Sequence, residues 1–172
     1  ALGMGARAVT GIELNPVTVS PLRERYADWT GHITEKPGVE LVNAEGRAFL
    51  RADPRRWDLV WLVAPDSYAA MNAATAGAFV LSESYLYTAE MIRDAVSRLT
   101  PDGILCTQFG EVDFAGKPNR TLRYLSTARA AFGDLGIADF PQHVAVVTTP
   151  SLGFTYATIL LSRAPFTAAQ VA

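Results

Sequence analysis

Blocks of apolar residues alternate with blocks of mixed apolar and charged residues along the chain, and this pattern predicts strands that alternate with helices. The first apolar run ends at Glu13 and predicts a strand, and residues 16–29 have the composition of a surface helix. Residues 38–43 predict a second strand, which a tight bend at Gly46 connects to a helix that Pro54 ends. The first part of the chain is therefore expected to hold two strand–helix units.

The middle of the chain holds the most apolar run and the least periodic segment. Residues 57–65 form an apolar run that is too short to cross a membrane and predicts a buried parallel strand. Residues 66–84 are rich in Ala and Ser, and a long loop without periodicity in a compact domain is usually functional. An amphipathic helix is predicted over 88–99, with Thr88 as its capping residue, and residues 103–110 predict the next buried strand.

The last part of the chain breaks the alternation. After a helix predicted over 119–132, residues 142–149 and 154–166 predict two strands joined by the short turn 150–153, which makes them antiparallel. Alternating strands and helices imply an α/β domain with a mostly parallel sheet and helices on both faces. A parallel sheet that ends in an antiparallel hairpin is typical of the Rossmann-like methyltransferase fold, whereas a plain dinucleotide-binding domain would continue to alternate.

Composition narrows the classes of partner. At 172 residues the chain is long enough for one domain with a sizeable core and short for two, so residues 1–172 are expected to form a single domain. Its 15 Lys and Arg against 17 Asp and Glu give a net charge of -2, which supplies no electrostatic argument for nucleic acid or an anionic membrane as a partner. The single cysteine, Cys106, excludes a disulfide framework within the chain, and no apolar run approaches the roughly 20 residues that span a bilayer. A cytoplasmic domain is the default expectation, and membrane attachment of a longer protein stays open.

Two acidic residues follow the first two predicted strands, at the edge of the sheet where α/β folds bind ligands. Glu13 could accept both hydroxyl hydrogens of a ribose, as the acid after the second strand of nucleotide-binding units does. Glu45 could accept a hydrogen bond from the exocyclic amine of adenine, with Gly46 allowing the backbone to approach closely. For both acids the alternative is a helix N-terminal residue favoured by the helix dipole, and the local sequence leaves the two interpretations open.

The long loop and the strand after it supply the candidate substrate contacts. Asp66 follows the most apolar strand and could bind or deprotonate an amine, although an ordinary turn residue is an equal alternative. Tyr68 and Tyr87 lie in or beside this loop and could line a pocket or simply pack the loop onto the sheet. Gln108 ends the next strand and could contact substrate or be a satisfied buried amide.

Several kinds of active site have no counterpart in the sequence. It contains no Gly-x-Ser-x-Gly elbow, no Walker loop and no spacing of His and Cys typical of a metal site, so no metal is expected. The glycines at positions 3 and 5 precede a strand rather than follow one, and therefore cannot form the glycine loop of a nucleoside site. A first strand and a glycine loop are expected upstream of Ala1.

The chain resembles the spermidine synthases, the polyamine aminopropyltransferases of the S-adenosylmethionine-dependent methyltransferase-like superfamily, from end to end. The resemblance is carried, in order, by "VTGIELNP", "NAEGRAFL", "WDLVWLVAPDS", "LYTAEMIRDAVSRLTPDGILCTQ" and "YATILLSRAPF". It implies that Glu13 holds the ribose of decarboxylated S-adenosylmethionine and that Glu45, where Asp is usual, holds the adenine. S-adenosylmethionine itself is the other donor that this fold implies.

One departure from the family pattern bears directly on catalysis. The family's strand after "WDL" usually ends in an aspartate that acts as general base, and here that position is Val63. A second aspartate of the same loop is present as Asp66, so the resemblance implies Asp66 as the remaining contact for an amine acceptor. The expected function is transfer of an aminopropyl or alkyl group to an amine-type small molecule. The alternatives are a non-catalytic nucleoside-binding or interaction domain and a nicotinamide-dependent dehydrogenase, against which the terminal hairpin argues. A homodimer stays open.

Overall fold

The computed structural model describes residues 1–63 and 85–171, and the chain divides into two compact units, Ala1–Asp53 and Pro54–Ala172. The strands are β1 Val9–Glu13, β2 Val39–Asn43, β3 Trp57–Leu62, β4 Leu99–Glu111, β5 Val144–Ser151 and β6 Phe154–Ser162. The α-helices are α1 Pro16–Arg23, α2 Gly46–Ala52, α3 Ala89–Ser97, α4 Asn119–Asp134 and α5 Ala168–Val171. Short 3₁₀ helices lie at Leu2–Met4, Ile33–Glu35, Tyr85–Tyr87 and Phe140–His143.

The first unit is built on a parallel pair of strands. β1 pairs with β2 in a continuous register that ends with Glu13 opposite Asn43, so both carboxyl ends lie at one edge. Asn15 caps α1 by accepting a hydrogen bond from the backbone N–H of Val17 at 2.9 Å. The first two predicted strands and the helices that follow them are therefore present.

The predicted extent of the first helix was wrong. The sequence pattern favoured a helix over 16–29, but α1 ends at Arg23 and turns follow. Pro21 lies inside this short helix and has no N–H to donate to the preceding turn, which removes one of its few hydrogen bonds. Glu24 then leaves the helical region with φ -120° and ψ -85°.

The second unit contains a four-stranded mixed sheet in the order β3-β4-β6-β5. β3 is parallel to β4, whereas β4 and β6, and β6 and β5, are antiparallel. The predicted C-terminal hairpin is confirmed, but its turn is shorter than predicted because only Leu152 and Gly153 lie between β5 and β6. Gly153 adopts a positive φ of 80°, which glycine tolerates without the strain a side chain would add.

The core of the second unit lies between the central strands β4 and β6 and the helices α3 and α4. Helix α3 begins at Thr88, whose Oγ1 accepts a hydrogen bond from the backbone N–H of Met91 at 3.2 Å, as predicted for its cap. The fully buried side chains of this core include Met91, Ile92, Val96, Leu105, Thr107, Phe132, Ile159 and Leu161. The helix faces predicted from apolar spacing thus pack on the most buried strands.

Strand β4 begins earlier than the sequence pattern indicated. Helix α3 ends at Ser97 rather than at the predicted residue 99, and residues 99–102, which precede the predicted strand, belong to β4. The pairing with β3 is irregular here, since Trp57 lies opposite Leu99 but Leu59 lies opposite Ile104. Gly103 sits inside this irregular stretch, and a Cβ there would lie 2.7 Å from the carbonyl oxygen of Trp57. Among the helices of the described residues, none is long and apolar enough to cross a membrane.

Candidate functional site

The carboxyl edge of β1 and β2 brings together Glu13 and Asn43, the last residues of the two strands. The side-chain amide of Asn43 donates to the carbonyl oxygen of Glu13 at 2.8 Å and to that of Leu14 at 3.0 Å. These two hydrogen bonds hold the backbone at the point where β1 turns toward α1. Asn43 therefore positions the strand end that carries the predicted ribose-binding acid.

The carboxylate of Glu13 is only partly engaged by the described residues. Its Oε1 accepts a hydrogen bond from the backbone N–H of Asn15 at 2.7 Å, which fixes the side chain over the turn. Its Oε2 has no hydrogen-bond partner among residues 1–63 and 85–171. An oriented carboxylate with one open oxygen can accept a hydrogen bond from a ligand hydroxyl.

The carboxylate of Glu45 is engaged at both oxygens. Oε1 accepts from the backbone N–H of Arg47 at 2.9 Å, and Oε2 accepts from that of Ala48 at 2.7 Å. Glu45 is thus the N-cap of α2, and Gly46 is the first residue of that helix. Glu45 therefore acts as a helix N-terminal residue, which was one of the two interpretations that the sequence left open. A capping carboxylate still has further lone pairs, so contact with adenine stays a prediction.

In the second unit, Gln108 lies beside the carboxyl end of β3. Leu62 is opposite Thr107 in the parallel pair, so Val63 and Gln108 are the next residues on the two strands. Gln108 donates from Nε2 to Oγ1 of Thr158 at 2.9 Å, which ties its side chain to β6. Val63 is 63% exposed. This strand end therefore presents one apolar side chain and one amide that is already held in place.

Tyr87 belongs to an aromatic cluster against β4. Its ring centroid lies 5.5 Å from that of Phe109 and 6.3 Å from that of Tyr124. The hydroxyl of Tyr124 accepts a hydrogen bond from Oγ1 of Thr107 at 2.9 Å, and burial raises the pKa of Tyr124 to about 12. The ring contacts with Phe109 and Tyr124 pack Tyr87 against β4, and its predicted substrate contact stays a prediction. Asp66 and Tyr68 lie outside the described residues, and their predicted roles also stay predictions.

Sequence reasoning missed Glu111, a buried acid at the end of β4. Glu111 is only 5% exposed, and its Oε1 accepts from the backbone N–H of Thr121 at 2.7 Å and from its hydroxyl at 2.9 Å. Helix α4 follows Pro118, which has no side-chain hydrogen bond to offer as a cap. Glu111 supplies the missing acceptor from the neighbouring strand. The available signal was an acid at a strand end followed by a helix start without a capping residue.

Among residues 1–63 and 85–171, no group of three His, Cys, Asp or Glu side chains is arranged to hold a metal ion. The candidate ligand contacts in the described part of the chain lie at the strand ends. In the first unit they are one open carboxylate oxygen of Glu13 and the Asn43 amide that holds the adjoining backbone. They suit hydrogen bonding to hydroxyl groups of a small molecule.

No protein-family model matches the sequence, and no curated protein matches it. Among solved structures, the chain is similar to the spermidine synthase from Thermotoga maritima, with a TM-score of 0.62 and 15% identity over 96% of this chain and 49% of that protein. It is also similar to a spermidine synthase in complex with the transition state analogue AdoDATO, with a TM-score of 0.60 and 14% identity over 96% of this chain and 48% of that protein.

Human methyltransferase-like protein 13, solved in complex with SAH, gives a TM-score of 0.57 at 11% identity, over 95% of this chain and 65% of that protein. The chain spans about half the length of the spermidine synthases it matches. At this level of identity the likeness establishes the fold. The chain has the α/β Rossmann-like fold of the S-adenosylmethionine-dependent methyltransferases and spermidine synthases, and it ends in the antiparallel hairpin that the sequence predicted.

Proposed function

We propose that this chain binds an adenosyl sulfonium donor, S-adenosylmethionine or its decarboxylated form, and transfers an alkyl or aminopropyl group to an amine-type acceptor. The fold supports the donor class, because similar solved structures are a spermidine synthase in complex with AdoDATO and a methyltransferase-like protein in complex with SAH. The resemblance of the sequence motifs to spermidine synthases favours the aminopropyl donor and a polyamine acceptor. Partners of this kind are small molecules.

The observation that carries the proposal is the geometry of Glu13. Its carboxylate lies at the carboxyl end of β1, is oriented by the N–H of Asn15, and has an open oxygen among the described residues. A ribose diol offers two hydroxyl donors to such a carboxylate, and ligands of α/β sheets bind outside the carboxyl ends of the strands. Asn43 supports this position by holding the adjoining backbone.

The proposed chemistry is an in-line displacement at a carbon next to the sulfonium. The amine nitrogen forms a bond to that carbon while the carbon–sulfur bond breaks. The electron pair of the broken bond stays on sulfur, which becomes a neutral thioether. The amine loses one proton to a base or to solvent. In such a reaction the protein mainly orients the two reactants and excludes water.

The acceptor side of the proposal depends on Asp66 and on the end of β3. Val63 cannot accept a proton, so an acceptor that arrives as a protonated amine would need Asp66 as its carboxylate contact. Replacement of Asp66 by Asn is then expected to weaken the binding of an amine acceptor far more than the binding of the donor. Equal weakening of donor and acceptor would remove the proposed role of Asp66.

Calorimetric titration of the full-length protein tests the donor proposal. Methylthioadenosine and S-adenosylhomocysteine are titrated separately; preference for the first supports aminopropyl transfer, and preference for the second supports methyl transfer. Binding of neither ligand would refute the proposal and favour a non-catalytic module.

The Glu13→Gln variant tests whether this acid contacts the donor. We expect it to weaken the preferred ligand by roughly 1 to 3 kcal/mol, the scale of a hydrogen bond to a charged group, with little change in stability. Glu40→Gln is the matched control, because Glu40 lies within β2, away from the carboxyl edge. A loss of stability in Glu13→Gln with unchanged binding would make Glu13 a purely structural acid.

A further inference from the structure

The outer strand of the C-terminal hairpin presents an uncovered edge. Among residues 1–63 and 85–171, β5 is the last strand of the four-stranded sheet and pairs only with β6. We call residues 144–149 of this strand the hairpin edge. Val146 is 39% exposed and Val147 is 52% exposed. Because consecutive strand residues point to opposite faces, the part of the chain that the structure describes covers neither face of the strand at this point.

The hairpin edge lacks most features that keep an exposed edge from pairing. From Val144 to Ser162 the sequence contains no Asp, Glu, Lys or Arg. The pairing of β5 with β6 is regular from Val144 to Ser151, so no bulge twists the edge away. Pro150 is the one protective residue, and it lies beyond residues 144–149, beside the turn. Six consecutive residues are therefore open to a new strand.

We propose that this edge pairs with the same edge of a second copy of this chain, antiparallel and about a two-fold axis. The uncharged sequence is the reason for choosing a second copy. In a two-fold interface each surface meets itself, so any charge would face a like charge, and this edge carries none. A partner chosen by opposite charge would find nothing to bind here. The proposal is independent of the proposed function.

The pairing has a definite register. With the two-fold axis at Val147, Val147 of one copy lies opposite Val147 of the other, and Val146 lies opposite Thr148. These are β-branched cross-strand pairs, which stabilise antiparallel sheets. Tyr156 adds an exposed aromatic ring next to the edge, since it lies opposite Thr149 on β6 and packs edge-on against Phe154. The four-stranded sheet would continue across the dimer.

Sedimentation of the full-length protein over a range of concentrations tests this dimer. We expect a reversible dimer for the natural sequence and at least about tenfold weaker association for Val147→Lys, because the axis places two new charges close together. Leu122→Lys is the control, since Leu122 is 57% exposed on α4 and outside the hairpin. It should leave association unchanged.

Mixing separates two-fold pairing from a general effect of charge. Val147→Lys and Val147→Glu proteins should each be monomeric alone and should form a one-to-one dimer when combined. If Val147→Lys fails to fold by circular dichroism, Thr148→Lys replaces it, because Thr148 is exposed, already polar and next to the axis.

A monomeric natural protein at roughly 100 µM would overturn the proposal, since stable pairing of this kind requires tighter association. So would a Lys variant that stays dimeric, an equal effect of Leu122→Lys, or a mixture of Val147→Lys and Val147→Glu that stays monomeric.

Discussion

Replacement of Glu45 by Ala separates the structural role of this acid from its proposed contact with adenine. The substitution removes both oxygens that accept hydrogen bonds from the backbone of Arg47 and Ala48 at the start of α2. Loss of an N-cap of this kind costs about 0.5–2 kcal/mol of stability. For a chain of this length that corresponds to a decrease in Tm of roughly 2–4 °C per kcal/mol.

Donor affinity is the second property to measure in the Glu45→Ala variant. If Glu45 also accepts from the adenine amine, donor affinity should fall by roughly 1.5–3 kcal/mol, which is about 10- to 150-fold in Kd. Thermal denaturation measures the first effect, and calorimetric titration of the better of methylthioadenosine and S-adenosylhomocysteine measures the second. Glu45→Asp should keep both the Tm and the donor affinity close to those of the natural protein, because Asp is a good N-cap and is usual at this position in spermidine synthases.

Thr88→Ala is the control for a lost cap without a lost ligand contact. Thr88 caps α3 through one hydrogen bond to the N–H of Met91, so its loss should lower Tm on a similar scale and leave donor affinity unchanged. An unchanged Tm for Glu45→Ala would refute the capping argument. A lower Tm with unaltered donor affinity, matching Thr88→Ala, would remove Glu45 from the binding site.

Three further predictions concern positions outside the strand ends of the first unit. Gly103→Ala should lower the free energy of unfolding by about 1–3 kcal/mol in chemical denaturation, because its Cβ would lie 2.7 Å from a carbonyl oxygen of β3. Gly133→Ala in α4, with open space around it, should raise the free energy of unfolding by roughly 0.5–1 kcal/mol. The phenol of Tyr124 should titrate near its pKa of about 12 in ultraviolet absorbance; its stabilising contribution is full below pH 10.0 and is lost as the pH rises toward 12. Hydrogen bonds to Glu35 and to Asp28 raise the pKa of His32 above 6.5. The associated stabilisation is therefore present below pH 6.5 and is lost as the pH rises through the raised pKa. Glu35→Gln should lower the pKa of His32 in an NMR titration, and an unchanged value would contradict the assignment.

Strand positions and the hairpin could be predicted because they depend on local patterns. The apolar run before Glu13 and the direct connection between the last two strands each identify an element without knowledge of its neighbours. The end of α1 and the start of β4 could not be predicted in the same way. The first depends on a proline within the helix and on the backbone angles of Glu24, and the second depends on pairing with Trp57, far away in sequence.

The contacts within the candidate site were harder to predict than the elements that carry it. Asn43 reaches back thirty positions in sequence to the carbonyl oxygen of Glu13, and Glu111 reaches forward ten positions to Thr121. Neither contact follows from the spacing of apolar residues. Both are consequences of strand register and helix placement, which place a side chain beside a backbone group that would otherwise lack a partner.

The two acids of the first unit differ in how much they can reveal about function. Every strand–helix connection favours an acid near the helix start, and Glu45 satisfies that demand with both of its oxygens. Helix α1 has its own cap in Asn15, so its start does not require the carboxylate of Glu13 as an acceptor for the capped N–H of Val17. One carboxylate oxygen of Glu13 accepts a hydrogen bond from the N–H of Asn15, and the other is open among the described residues. A ligand role is therefore a stronger explanation for Glu13 than for Glu45, and the donor hypothesis depends chiefly on Glu13.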